Sequence, residues 1–598
     1  MRVSHLPGGR VAAGLVRCRD VGAVIASLTL AATTLGTWLS PALASSPPEI
    51  MLSDLLPGNG GDGSAGFVIR GLFEEQIVGA SVASAGDVNG DGIDDILIGA
   101  PETFVFNGSK GKSFVVFGRR DGVPALFDLT RLLPGQGDGS EGFVLLGPFE
   151  WAESGIDVAP AGDVNGDGID DLLIGTLHND VLSPYGGEAI VVFGRTTGFP
   201  PAFPLSQLFD GQGGDGSEGF VIRGKVDAGD DFGLAVAGAC DVNADGLTDL
   251  LVTAPGAERV NRDRVRPGLL FVLFGRAQPF PAEVWAERLF PYRGGDGSEG
   301  FVLVGPSDFD LLGDDAACAG DVNGDGIDDI AVAAANSNVD LPGREGEGKG
   351  FVVFGRDEGF PAVIDALDLF GFRGGDGSAG FVFHGRTSDG EAIRRVAPAG
   401  DANGDGVVDL LFSSSKVDFD LGEAYLVFGS ADGLPADIFA DRLRPGVGDG
   451  SVGVILRRRT GGRGEALPPF LGSGIASGDV NGDGISDVII GASGEDHGSL
   501  RDAGITFVAY GREDWPALAP LEDLFEAEGG DGTEGFVLLG NDPQDFSGTS
   551  VGFGDFNGDG AGDLLIGARG ARRGAEDAAG EVYVWFGEEG VAGTAPRP

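Results

Sequence analysis

One nonapeptide carries most of the chemistry in this chain of 598 residues. It occurs seven times, beginning at Asp87 (DVNGDGIDD), Asp163 (DVNGDGIDD), Asp241 (DVNADGLTD), Asp321 (DVNGDGIDD), Asp401 (DANGDGVVD), Asp479 (DVNGDGISD) and Asp555 (DFNGDGAGD). Positions 1, 3, 5 and 9 are Asp, Asn, Asp and Asp in every copy. Oxygen donors at alternating positions, a Gly at position 6 for a sharp turn and a carbonyl at position 7 are how a short loop wraps a hard cation. Calcium, which accepts six to eight oxygens at flexible angles, is the expected ion, at about seven sites. The candidate ligands are Asp87, Asn89, Asp91, Ile93 and Asp95; Asp163, Asn165, Asp167, Ile169 and Asp171; Asp241, Asn243, Asp245, Leu247 and Asp249; Asp321, Asn323, Asp325, Ile327 and Asp329; Asp401, Asn403, Asp405, Val407 and Asp409; Asp479, Asn481, Asp483, Ile485 and Asp487; and Asp555, Asn557, Asp559, Ala561 and Asp563. The position-7 residue in each set acts through its carbonyl. Position 12 is apolar throughout (Ile98, Ile174, Val252, Val332, Phe412, Ile490, Ile566), so this is not an EF-hand and position 9 must supply the terminal carboxylate. Asn-Gly and Asp-Gly are also ordinary hairpin turns, but a turn does not call for Asp at position 9. Ala244 replaces a Gly at position 4 of the third copy and bears on that loop's geometry alone.

Successive copies lie 76, 78, 80, 80, 78 and 76 residues apart, a period that signals repeat architecture. Two other elements keep the same count. One is an aromatic-Gly pair at Phe117-Gly118, Phe193-Gly194, Phe274-Gly275, Phe354-Gly355, Phe428-Gly429, Tyr510-Gly511 and Phe586-Gly587; the other is a GDG(S/T) turn carrying Asp62, Asp138, Asp215, Asp296, Asp376, Asp449 and Asp531. Each unit offers four short apolar runs between turn residues and no helical period; in the first unit these are Phe67–Arg70, Ala80–Ala85, Asp95–Ala100 and Phe114–Phe117. The expected fold is all-β, a seven-bladed β-propeller of four-stranded blades over residues 45–587, with a linear solenoid as the alternative. The first unit has a strand to spare and the last lacks one, so pairing Phe67–Arg70 with the final sheet closes the ring.

With its Phe-Gly strand, its acidic loop and the Gly99-Ala100-Pro101 that follows, the unit resembles the FG-GAP repeat of the integrin alpha-subunit head. The Gly-Ala-Pro departs to Gly175-Thr176, Thr253-Ala254-Pro255, Ala333-Ala334-Ala335, Ser413-Ser414-Ser415, Gly491-Ala492-Ser493 and Gly567-Ala568-Arg569 in later copies. The resemblance covers residues 48–587. It implies calcium on the hairpins joining the first and second strands of each blade and a ligand on the opposite face. Seven intact loops exceed the usual pattern of that family, in which only some blades carry ions.

Composition agrees with a turn-rich extracellular chain. Gly (110) and Pro (32) make up about 24% of the residues, yet 42% are hydrophobic and mean hydropathy is +0.08, more apolar than a disordered acidic polymer. Net charge is −52, from 92 acidic against 40 basic residues, which disfavours nucleic acid or an anionic membrane as partner. Residues 1–44 read as a signal peptide: Arg2, Arg10, Arg17 and Arg19, an apolar run Val21–Leu39, and Ala42-Leu43-Ala44 before Ser45. Residues 588–598 form a short tail, and no other stretch is long enough to span a bilayer, so no membrane insertion of the mature chain is expected. Cys240 and Cys318 are read as free buried thiols, a disulfide being permitted outside the cell.

Several constellations are set aside. Gly548-Thr549-Ser550-Val551-Gly552 matches a nucleophile elbow but falls on a first strand with no helix after it. Gly343–Lys349 and Gly111-Lys112-Ser113 are fragments of a P-loop that precede strands. His178, His384 and His497 lie in different units, and Asn107-Gly108-Ser109 is a glycosylation sequon. Two arginine clusters (Arg259, Arg262, Arg264 and Arg266; Arg457, Arg458, Arg459 and Arg463) oppose the acidic field and read either as solvated loops or as a docking patch. The expectation is a secreted or cell-surface adhesion or binding module, monomeric and not an enzyme, with an extracellular protein or glycan as ligand. The alternative is an extracellular polysaccharide lyase or hydrolase, which should break the symmetry with one long insertion.

Overall fold

The computed structural model describes residues 47–72, 76–101, 110–120, 122–177, 186–224, 229–257, 265–277, 279–337, 347–386, 393–414, 422–458, 470–572 and 578–587. The residues read as a signal peptide (1–44) and as a C-terminal tail (588–598), the sequon, His178, Arg259, Arg262, Arg264, Arg459 and Arg463 lie outside them.

Among the described residues there are strands and short 3-10 turns and no α-helix. Seven sheets form seven blades, and the blade beginning with the first nonapeptide is blade 1. Its inner strand, Ser81–Gly86, pairs antiparallel with Asp95–Ala100, and that with Lys112–Val116. The fourth strand, Gly142–Leu146, comes from the next repeat, and a fifth, Ala202–Pro204, runs parallel to it from the repeat after that. The same order holds in every blade, so blades have five strands where the sequence suggested four. The fifth strand is three residues long and leads directly into a 3-10 turn, as in Leu126–Asp128 followed by Leu129–Leu132, too short to show a two-residue period.

The inner strands of blades 2 to 6 are Val158–Gly162, Val236–Cys240, Asp315–Gly320, Arg395–Gly400 and Leu471–Gly478, and blade 7 has Ser547–Gly554. Each packs against the inner strands of its two neighbours, the last against the first, so the array is a ring and not a solenoid. The N-terminal segment closes it twice. Gly66–Arg70 pairs antiparallel with Glu581–Trp585 as the fourth strand of blade 7, and Glu49–Met51 lies parallel to Gly535–Leu539 as the fifth strand of blade 6.

Apolar side chains among the described residues gather into seven cores, one in the wedge between each pair of adjacent blades. Between blades 1 and 2, Leu97, Val115 and Phe143 meet Val158, Ile174 and Ile190. Stacked Phe pairs recur at these wedges: Phe143 on Phe199 at 4.0 Å, Phe220 on Phe280 at 4.1 Å and Phe301 on Phe360 at 4.3 Å between ring centroids. Offset aromatic contacts of this kind add to area burial in filling a wedge that widens outward. The GDG(S/T) turns are built by side chains: Asp62 Oδ1 accepts from the Ser64 amide (3.0 Å) and hydroxyl (2.6 Å), and all six later copies repeat the pattern. Cys240 and Cys318 are free thiols on neighbouring inner strands, Cys240 buried but Cys318 only half-buried, where the sequence suggested that both would be buried. Ser550 lies on the inner strand of blade 7 and donates to the Gly79 carbonyl (2.9 Å), while Lys112 and Lys349 each open a strand.

Candidate functional site

Every nonapeptide sits where an inner strand turns into the second strand of its blade, so the seven loops share one face of the ring. Within each loop the position-1 carboxylate is held by the loop's own amides. Asp87 accepts from Asp91 N (2.9 Å) and Gly92 N (2.7 Å), and the other six copies do likewise. The position-5 carboxylate accepts from the position-7 amide, as in Asp91 with Ile93 N at 3.1 Å. In copies three to seven the Asn oxygen at position 3 accepts from the position-5 amide.

The third loop follows the same path because Ala244 takes φ +59°, the left-handed conformation its Gly counterparts adopt, such as Gly90 at +74° and Gly166 at +78°. A Cβ in that region costs about 1 kcal/mol. Ala244→Gly is therefore expected to stabilise the chain by about 1 kcal/mol against denaturant, with no change in fold.

Position 9 has a role that the sequence reading did not assign to it. Asp95, Asp171, Asp249, Asp329, Asp409, Asp487 and Asp563 are fully buried. Asp95 Oδ1 accepts from the amide of Gly118, the glycine of the aromatic-Gly pair (3.0 Å), and Oδ2 accepts from Val88 N (3.2 Å). The aromatic-Gly bond recurs in all seven blades, at 2.8 to 3.1 Å. Gly is required there because a Cβ on Gly118 would lie 2.2 Å from the Asp94 carbonyl. Position 9 thus ties the third strand's exit to the loop through backbone amides, a use of Asp that the premise of a turn with no need for it at position 9 overlooks. The 20- to 26-residue interval between position 9 and the paired glycine was the available signal.

Position 8 was missed altogether. Asp170 Oδ2 accepts from Asp87 N (2.9 Å), Asp328 from Asp241 N (3.0 Å) and Asp94 from Asp555 N (3.1 Å), each reaching into a loop of the adjacent blade.

Burial pushes the position-9 carboxyls up, to about 8 in Asp95, Asp171, Asp249, Asp329 and Asp487 and about 7 in Asp409 and Asp563. The aromatic-Gly amide opposes this, and the position-5 and position-1 carboxylates add to it. A raised folded-state value means the folded chain binds more protons than the unfolded one between about pH 4 and 8, so stability falls as pH rises through that window. In chelator, the melting temperature is accordingly expected to be higher at pH 5 than at pH 8; calorimetric scans across that range check the sign.

In donor chemistry the loops suit a hard cation, with three carboxylates, an amide oxygen and a carbonyl apiece, and charge crowding that a cation would relieve. As the side chains stand, no three acidic, His or Cys side chains among the described residues converge into a set that could hold an ion.

Of the second arginine cluster, Arg457 and Arg458 are among the described residues. Arg457 pairs with Glu423 (3.2 Å), and Arg458 pairs with Glu495 and Glu522, so both brace the sheets of blades 5 and 6. His384 is buried against Phe439 and bound to Asp437 (2.7 Å).

Comparison with known proteins places this architecture. FG-GAP repeats match residues 78–116, 232–264, 315–353, 471–508 and 547–585, the second of these taking in the inner two strands of its blade and the other four the inner three. The chain is an FG-GAP repeat propeller like that of the integrin alpha subunits. Mouse integrin alpha-IIb is 32% identical over 33% of this chain and 17% of its own length. Rat phosphatidylinositol-glycan-specific phospholipase D is 34% identical over 20% of this chain and 13% of its own. The chain thus spans less than a fifth of the length of these relatives in the matched region. Among solved structures, the crystal structure of BBS1N in complex with ARL6DN, soaked with lead, aligns over 87% of this chain and 97% of that one at 10% identity, with a TM-score of 0.36. No helix among the described residues is long and apolar enough to cross a membrane.

Proposed function

We propose that this FG-GAP propeller is an exported, calcium-stabilised module that binds an extracellular protein or glycan and performs no chemistry of its own. The observation that carries it is the recurrence, seven times on one face, of three crowded carboxylates of which one is fully buried. One such loop is a turn, whereas seven at identical positions form an ion-dependent rim. Calcium there would be held by the Asp, Asn and carbonyl oxygens of positions 1, 3, 5, 7 and 9 and would supply positive charge to the rim. The opposite face is left to the links from each fourth strand to the next inner strand, such as residues 147–157, where the sequences vary; variable loops on a rigid ring are the usual seat of recognition. Likeness to integrin alpha-IIb supports both halves of the reading.

The phospholipase D match favours a second reading, the propeller of an extracellular hydrolase. Purified chain applied to glycan and matrix-protein arrays, in calcium and in chelator, separates the two when paired with turnover assays on phosphatidylinositol-glycan and polysaccharide substrates. Calcium-dependent capture without turnover is expected. Turnover of either substrate, with no capture on either array, would transfer the chain to the enzyme class.

A further inference from the structure

A cavity of about 510 Å³ opens on the ring axis at the N-terminal ends of the inner strands, the end away from the acidic loops. That size is typical of a small-molecule site. Its wall breaks the sevenfold repeat. Six residues before their nonapeptides, six of the seven units line it with Ser81, Asp157, Asp315, Arg395, Ser473 and Thr549, while the third lines it with Leu234 and Val236, so one level of the channel mixes hydroxyls, two acids and a guanidinium. A purely structural ring would be served by small or apolar residues throughout.

The two acids are already engaged by backbone. Asp157 accepts from Val236 N and from the Ser81 hydroxyl, both at 2.9 Å, and Asp315 accepts from Val396 N at 2.9 Å. Arg395 lies 3.5 Å from the second oxygen of Asp315. Arg569 is different. It stands at the end of the second strand of blade 7, where other described units have Pro101, Leu177, Pro255, Ala335 and Ser493. It lines the same cavity with no hydrogen-bonded or ion-paired partner among the described residues, its one recorded contact being the Phe546 ring, 5.8 Å from the guanidinium carbon. Burial, and after it the charge of Arg395, pushes the Arg569 guanidinium below its ordinary range. Two cations thus face one cavity with an anion's place between them, beside carboxylates that would repel a second negative charge but accept hydroxyl protons.

We infer that the axial cavity binds a hydroxylated monocarboxylate of the hexuronate class, its carboxylate on Arg569 and Arg395 and its hydroxyls on Asp157, Asp315 and Ser81. This deepens the binding-module reading and rests on it, naming a subsite and the chemistry it selects.

Titration calorimetry on the calcium-loaded chain tests it, with sodium glucuronate, glucose, glutarate and an oligosaccharide ending in glucuronate as probes. Glucuronate should bind with a dissociation constant on the order of 1 mM. Glucose, which lacks the carboxylate, and glutarate, which carries two and no hydroxyls, should bind at least about tenfold more weakly. A tighter oligosaccharide than free sugar identifies a glycan terminus as the source; equal affinity identifies the free acid. Arg569→Ser installs the residue blade 6 carries and should keep the parent melting temperature while weakening glucuronate about tenfold and flattening its salt dependence. Arg569→Lys, keeping charge without the planar fork, should fall between. No binding of glucuronate at about 20 mM, preference for glutarate, or an Arg569→Ser variant that binds as the parent does would each overturn the inference. If that happens while the chain still captures an array ligand, the module reading survives; turnover of a substrate would remove that reading whatever the cavity holds.

Discussion

Deletion of residues 47–71 is expected to abolish cooperative folding of the ring or to leave a soluble fraction too small to purify. The segment supplies the fourth strand of blade 7 and the fifth of blade 6. It also buries Leu52, Leu55, Phe67, Val68 and Ile69 in the wedges on either side of blade 7. At about 1.5–3 kcal/mol for each buried side chain, the loss is on the order of 10 kcal/mol, comparable with the whole net stability of a typical domain. It also bares the backbone of Glu581–Trp585, a five-residue edge of buried residues ready to pair with another chain. Because Phe586 N donates to the Ala65 carbonyl (3.1 Å), the end of the last strand lies beside the start of Gly66–Arg70. A permuted chain that carries residues 47–71 after Gly587, on a linker of the length that separates Gly118 from Leu126–Asp128 in the first repeat, should therefore refold the ring. Light scattering and calorimetry on the two variants decide the matter: a deletion that melts as the parent does would mean the closing strands contribute nothing.

The parts of this fold that repeat were legible, and the parts that depend on register were not. The period of 76 to 80 residues, the aromatic-Gly pair and a spare N-terminal strand led to a closed seven-bladed ring, since each recurs and each has a local signature. Fifth strands such as Ala202–Pro204 escaped because their partner is the parallel Gly142–Leu146 of another repeat and three residues carry no alternation. The bond from Asp95 to Gly118 joined two motifs that were each recognised, but along the chain nothing says that they touch. The axial ring of Ser81, Asp157, Asp315 and Arg395 was invisible for a related reason: its members lie a full repeat or more apart, and only the close approach of inner strands assembles them. Arg569 was visible as a departure from Gly-Ala-Pro, yet its meaning depends on the second guanidinium across the cavity.

Calcium should raise the melting temperature by roughly 9 °C when every loop sits at ten times its dissociation constant. Linkage contributes about 1.4 kcal/mol per site and on the order of 10 kcal/mol for seven, provided the unfolded chain does not bind. An unfolding entropy of about 2.1 cal/mol/K per residue over roughly 540 residues is about 1.1 kcal/mol/K, which sets the shift. The variant that isolates the ion from the turn replaces position 5, not position 9. Position 9 is fully buried and ties the loop to the aromatic-Gly glycine, so losing it costs stability with or without metal. Asp91, Asp167, Asp245, Asp325, Asp405, Asp483 and Asp559 each accept one loop amide, a bond an Asn oxygen preserves. Replacing all seven by Asn removes the charge while leaving that acceptor. In chelator the variant is expected to melt at or slightly above the parent temperature, because the crowding that pushes the position-9 carboxyls up is reduced. In calcium it should gain little, and elemental analysis after dialysis should fall from close to seven ions per chain towards none. If parent and variant show the same melt in calcium and in chelator, the nonapeptides are turns whose acids serve only the backbone, and the ring owes its stability to the seven apolar wedges alone.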